Sequence, residues 1–176
     1  MKPPRPVPFL DREVRTWTEN ISDDALADVM VALRRRIRKI DRNYDIPYIA
    51  GYSRDGSTVF IDRHMPRAFA YRGRRVQTDR FLVTHEVVEK ALIDELHLHY
   101  LHAHQIALRT EQAAVRAAGI AWRDYNRFTK AHEKKIGDER LVRVPRDLDL
   151  TPYRDEHDLP ELLKIIMSGT LPAKRS

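Results

Sequence analysis

The sequence predicts an α+β fold: one mostly helical domain in which a small β-hairpin or sheet precedes a central antiparallel helix pair. Three observations lead there. Apolar residues recur at helical spacing almost without a break from Thr78 to Lys135. Two β-rich runs, "YDIPYIAGY" and "STVFID", flank the turn signal Arg54-Asp55-Gly56. The chain has 176 residues, 42% of them hydrophobic, which is enough for one buried core.

Residues 1–8 hold four prolines, which fix φ and remove donors, so residues 1–21 read as an extended arm and 22–176 as the domain. Ser22, followed by Asp23 and Asp24, has the form of an N-cap with acids in the first turn. Leu26, Val29, Leu33, Ile37 and Ile40 then recur at helical spacing, which predicts a helix over 23–41 with its arginines outward. A hairpin is expected over 47–53 and 57–62; His64-Met65-Pro66 ends it, and a loop containing Gly and Arg follows. Helices are expected over 78–96 and 99–118 with Gly119 as the stop, and a third opens near Ala121. Residues 137–157 contain two prolines and little periodicity, which predicts a long surface connection. "LPELLKIIMSG" supplies a last short helix, with Pro160 near its start and Gly169 as its stop.

Composition narrows the function classes. No apolar run approaches the roughly 18–20 residues of a membrane span, and the opening "MKPPRPVPFLDREVR" lacks the apolar stretch of a secretory signal. With no cysteine there is no disulfide and no thiolate ligand, so any metal must be held by His and carboxylate. A cytoplasmic setting without a membrane partner is expected. The net charge of +6 lies in the first half, where residues 1–80 hold 17 basic and 11 acidic side chains against 15 of each over 81–176. "RRRIRK" (34–39) and "RAFAYRGRR" (67–75) carry most of it. Such clusters attract phosphates, or simply form a solvated helix face and a basic loop.

The informative segment is "FLVTHEVVEKALIDEL" (81–96). At about 100° per residue, Glu89 falls about 40° and Glu86 about 100° from His85, on the side that also carries Phe81, Leu82 and Leu92. Val83, Val87 and Ala91 cover the opposite side. A helix apolar nearly all round is central and buried, and carboxylates set into it need a cation, an arginine or a solvated cleft. In the next helix, "YLHAHQIALRTEQAAVRAA" (100–118), His104 and Glu111 interrupt an alanine-rich stripe. A chain reversal near 96–99 places Glu89 opposite His104 and His85 opposite Glu111.

"HEVVE" followed by His104 resembles the HExxH helix of zinc metallopeptidases of the zincin group, gluzincins in particular, over residues 57–111. The resemblance implies a divalent metal, zinc by family, with His85 as a ligand and Glu86 as the catalytic residue that activates water. Position 89 is Glu where the family has His. His104 on the following helix restores two histidines and one carboxylate with the ligand types exchanged, which zinc accepts. Glu111 either orients His85 or adds a fourth ligand. The implied activity is hydrolysis of an amide bond in a peptide or protein, with the β-ribbon holding an extended substrate by its edge.

Two other readings of these residues stay open at this point: a buried structural network of His–Glu pairs without metal, or a different helix register with the groups solvated. The matching functional alternative is a non-catalytic helical module that binds nucleic acid or a protein through its basic N-terminal half. Secondary candidates are the run His97, His99, His102 and His104, the strand-end pair Asp62 and His64, and "EHD" at 156–158. The first three histidines read as exposed, and Asp62 as a turn residue.

Overall fold

The computed structural model describes residues 35–156 and 158–168. Among the described residues five strands, β1 (Lys39–Asp41), β2 (Ala50–Tyr52), β3 (Thr58–Ile61), β4 (Ala68–Tyr71) and β5 (Arg74–Gln77), are followed by five helices. These are α1 (Asp79–Leu96), α2 (Tyr100–Ala117), α3 (Trp122–Gly137), α4 (Thr151–Asp155) and α5 (Leu159–Met167). The fold is α+β and mostly helical, as the periodicity predicts. The arm over 1–21, the start of the first expected helix and Gly169 lie outside the described residues.

The expected hairpin forms. Ser53 donates its N–H to Thr58 O at 2.9 Å, Gly56 takes φ +69° in the turn, and β2 pairs antiparallel with β3, Gly51 opposite Phe60. The helix expected over 23–41 does not reach its predicted end. Arg35 and Arg36 are helical, but Lys39–Asp41 is a strand that runs parallel to β3 and gives the order β1-β3-β2. Ile37 packs against the core while Ile40 is exposed, so the two never shared one buried face. Asp41 closes the strand by accepting the N–H of Asn43, the kind of local bond that competes with a helix.

The loop expected after Pro66 is instead a second hairpin, β4–β5. Arg72 and Gly73, at φ 47° and 76°, form its two-residue turn. Positive φ at both positions is what a type I′ turn demands, and its twist matches that of the flanking strands. Phe69, Tyr71 and Val76 face Phe81, Val115 and Tyr125 in a core between this hairpin and the helices.

The chain reverses between α1 and α2 over three residues. His97 ends α1 in the left-handed region at φ 52°, and His99 opens α2 by accepting the N–H of Leu101 on its own ring. Val88 and Leu92 of α1 pack on Ala103 and Ala107 of α2, all buried; the alanines let the helices approach closely. The other face of α1 packs on Val59 and Ile61 of the three-stranded sheet.

The connection after α3 is long, as expected, but it does not merely wrap the surface: Leu141, Val144, Leu148 and Tyr153 pack into a core with Ile46 and Phe60, and the segment also contains α4, a single turn too short for periodicity to reveal. It lies along the free edge of β2: Asp149 donates its N–H to Tyr52 O at 2.9 Å, and Arg54 donates to Asp147 O at 2.8 Å. Asp45 holds the start of this connection by accepting the N–H groups of Val142 and Arg143. Lys90 of α1 secures its end, with Nζ 2.7 Å from Asp149 and 2.9 Å from Asp94.

Burial pushes the Asp149 carboxyl up, but the Lys90 ammonium and the Thr151 N–H outweigh it and hold the group below its ordinary value of 3.8. The folded state therefore favours the ionised form. Its stabilisation is complete above the ordinary carboxylate range and disappears as pH falls through the depressed folded value. Asp149→Asn should cost about 1–3 kcal/mol in urea unfolding at neutral pH. The gap to the native protein should shrink as pH drops below that range; a gap independent of pH would show that the ion pair does not stabilise the fold.

Candidate metal centre

From His85 to Leu92 every residue of α1 is buried, so its polar side chains need partners from the elements around it. α2 supplies two. His104 Nδ1 lies 2.8 Å from Glu89 Oε2, and His85 Nδ1 lies 3.0 Å from Glu111 Oε2. These are the two cross-helix pairs that the hairpin symmetry predicts, and they form one cluster: His85 Nε2 is 3.1 Å from His104 Nδ1 and 3.4 Å from Glu89 Oε2.

Two phenols complete the arrangement, and sequence reasoning missed their role. Tyr52 of β2 donates its hydroxyl to Glu89 Oε1 at 2.9 Å, and Tyr125 of α3 donates to Glu111 Oε1 at 2.6 Å. The only signal available was that a buried tyrosine needs a hydroxyl partner, which does not say which carboxylate it finds. Each phenol occupies one oxygen of its carboxylate and leaves the other to a histidine. Glu89 Oε2 thereby joins His85 Nε2 and His104 Nδ1 in a triangle of three potential ligand atoms. Both oxygens of Glu111 are engaged, by His85 and Tyr125, so Glu111 stands outside the triangle.

The triangle is tighter than a bound cation would set it. An ion holding ligands at about 2.0–2.2 Å in a tetrahedral set spaces them roughly 3.3–3.6 Å apart; here one separation, 3.4 Å, falls in that range, and the other two, 2.8 and 3.1 Å, are hydrogen-bond distances that an ion would have to widen. His85 Nδ1 donates to Glu111 Oε2, the carboxylate–histidine arrangement that fixes ring orientation in metal sites, and an ion in the triangle would have to displace the proton that Glu89 draws to Nε2.

The cluster opens into a cleft of about 330 Å³ lined also by Glu86, Tyr48, Tyr100, Trp122 and Tyr153. Glu86 is buried, and among the described residues no hydrogen bond reaches its carboxyl group. Burial, reinforced by Glu89 and Glu111, pushes its pKa well above the ordinary 4.5, while His85 pulls the other way. Glu89 behaves oppositely: burial would raise it, but the hydrogen bonds from His104 and His85 hold it down. Burial alone would keep His85 neutral, yet Glu111 and Glu89 raise its pKa well above 6.5. One side of the rim is the turn Tyr48-Ile49, where both residues lie in the left-handed region at φ 61° and 68°. For a β-branched residue such as Ile49 that conformation is strained.

Of the secondary candidates, His104 and Glu156 line this cleft, and the other described ones do not. His97, His99 and His102 are exposed, and His99 serves as the helix cap. Asp62 is a turn residue that accepts the N–H groups of Ile46 and His64. Asp45, Asp62 and His64 do bring three ligand atoms together, but the Asp45 oxygens are taken by Arg63, Val142 and Arg143. Asp158 of "EHD" caps α5 and accepts the hydroxyl of Tyr48. The edge of β2 is only partly free to hold a peptide, because the connection at Asp147–Asp149 covers it from Tyr52 onward.

Comparison with protein-family models, with curated proteins and with solved structures gave no match.

Tyr125→Phe keeps the ring packing and deletes one donor to a buried carboxylate. It should lower stability by about 1–3 kcal/mol in denaturant titration with an unchanged slope. A variant as stable as the native chain would mean that Glu111 does not depend on the phenol.

Proposed function

We propose that this protein is a metal-dependent hydrolase of zincin-like type that cleaves an amide bond in a peptide or protein. The observation that carries the reading is the convergence of His85 Nε2, Glu89 Oε2 and His104 Nδ1, all within 3.4 Å of one another, on one wall of a cleft. Two imidazoles and one carboxylate suit zinc, and three protein ligands leave a position for water or substrate. Bound there, the ion would polarise a carbonyl oxygen and acidify a water.

The chain's own residues do the rest. Glu111 fixes the ring of His85, and Tyr52 aims Oε2 of Glu89 by occupying Oε1. Glu86, lining the same cleft and without a hydrogen-bond partner, accepts the water proton and passes it to the leaving amine. A dication held by His85, Glu89 and His104 would lower the Glu86 carboxyl pKa that burial raises. An extended substrate has the length of β2 at Ala50 for backbone pairing, short of the covered stretch that begins at Tyr52. No helix among the described residues is long and apolar enough to cross a membrane. The cysteine-free composition supports a cytoplasmic site of action.

Metal analysis of untagged protein tests the centre. Chelator should lower the melting temperature and zinc restore it, because an ion bound only to the folded state stabilises by mass action. Glu89→Ala and His104→Ala should lose metal, while Glu86→Gln should keep metal and fold but lose peptide hydrolysis. A chain free of metal whose melting curve ignores both chelator and zinc would leave the cluster as a structural His–Glu network.

A further inference from the structure

Hairpin β4–β5 contributes nothing to the metal cluster, yet it concentrates positive charge at the surface. Residues 67–80 contain five arginines and one acid, Asp79. That acid is already neutralised by Arg42, whose Nη1 lies 2.6 Å away. Arg72 and Arg75 are exposed at the hairpin's tip and on β5, with Arg67 and Arg80 exposed at its base. Arg74 is fixed in place, bonding Ala118 O and Gly119 O beyond the end of α2 at 3.1 and 3.2 Å. Arg72 and Arg74 both lie over the ring of Tyr71, at 5.3 and 5.7 Å from its centroid, which holds the tip in shape. Arg116, exposed in the last turn of α2, extends the same charge.

We propose that this ribbon is a docking surface for duplex DNA, held chiefly through its phosphates. The register puts Ala68, Ala70, Arg75 and Gln77 on one face and Phe69, Tyr71 and Val76 on the other. The aromatic face is turned inward, with Phe69 stacked on Phe128 at 4.8 Å and Tyr71 buried. The ribbon thus offers no platform on which single-stranded bases could stack. It also exposes no large apolar side chain of the kind that inserts into a lipid surface. What remains outward is small or cationic: a two-stranded ribbon with alanines on its face and arginines at its end. The major groove of B-form DNA admits such a ribbon, whereas that of A-form RNA is too narrow. This surface is independent of the metal centre.

The test is binding of the full chain to a short labelled duplex by fluorescence anisotropy across a salt series. Replacing two phosphate-contacting arginines, in Arg72→Ala/Arg75→Ala, should weaken binding and flatten the log–log salt slope by about 2. Arg72→Lys/Arg75→Lys keeps the charge and should retain most of the affinity. Arg123→Ala/Arg127→Ala, on the exposed face of α3, should bind as the native chain does. Unlabelled duplex should compete better than single-stranded DNA or phosphatidylserine vesicles. The proposal fails if the native chain does not bind duplex at low salt, or if the Ala pair, with an unchanged melting temperature, keeps the native slope. It fails equally if single strands or vesicles are the stronger competitors.

Discussion

The middle of α1, buried from His85 to Leu92 and nevertheless carrying His85, Glu86 and Glu89, sets the terms for everything packed around it. Each ionised group taken out of water without compensation costs several kcal/mol, so neighbouring elements matter for the hydrogen-bond partners they bring as much as for apolar area. β2 brings Tyr52, α2 brings His104 and Glu111, and α3 brings Tyr125. The cluster therefore ties the sheet and three helices to one centre. The result is a polar knot inside a core that is otherwise closed by small and aliphatic side chains, and its satisfied members rigidify one another.

Glu86 is the exception within that knot. Its neighbours Glu89 and Glu111 are each held by a histidine and a phenol, whereas Glu86 faces the cleft without a hydrogen bond, and burial raises its pKa. Carboxylates in close quarters with opposite environments are driven to opposite protonation states. The connection that follows α3 bounds the same cleft. Lys90 and Asp45 anchor it at two points, and its hydrogen bonds close part of the β2 edge.

The helix pair and its cross-pairings were legible because they follow from one number, the helical period, together with a short turn. Phe81, Leu82 and the alanines of α2 favoured the register that forms over the one with the polar residues solvated. The parallel strand β1 was hidden because Ile37 and Ile40 mimic helical spacing, while their actual partner, β3, lies about twenty residues on in sequence. Hairpin β4–β5 was hidden for another reason. Its strands are four residues long, and its arginines obscure the alternation of Phe69, Tyr71 and Val76. The phenols of Tyr52 and Tyr125 lie in elements far from the motif helix in sequence, and only tertiary packing assigns them to a carboxylate.

The three-residue reversal at His97–His99 has a consequence for how this chain can change over time. Side chains on a helix advance about 100° per residue. An insertion or deletion of a single residue in the turn would therefore swing His104 and Glu111 away from Glu89 and His85 together. Substitutions at the exposed histidines cost little, provided the residue at 97 accepts the left-handed backbone there. A change of length does not. The turn acts as a ruler, so descendants of this chain should be free to vary its letters while keeping its count, and sequence drift can pass through it only sideways.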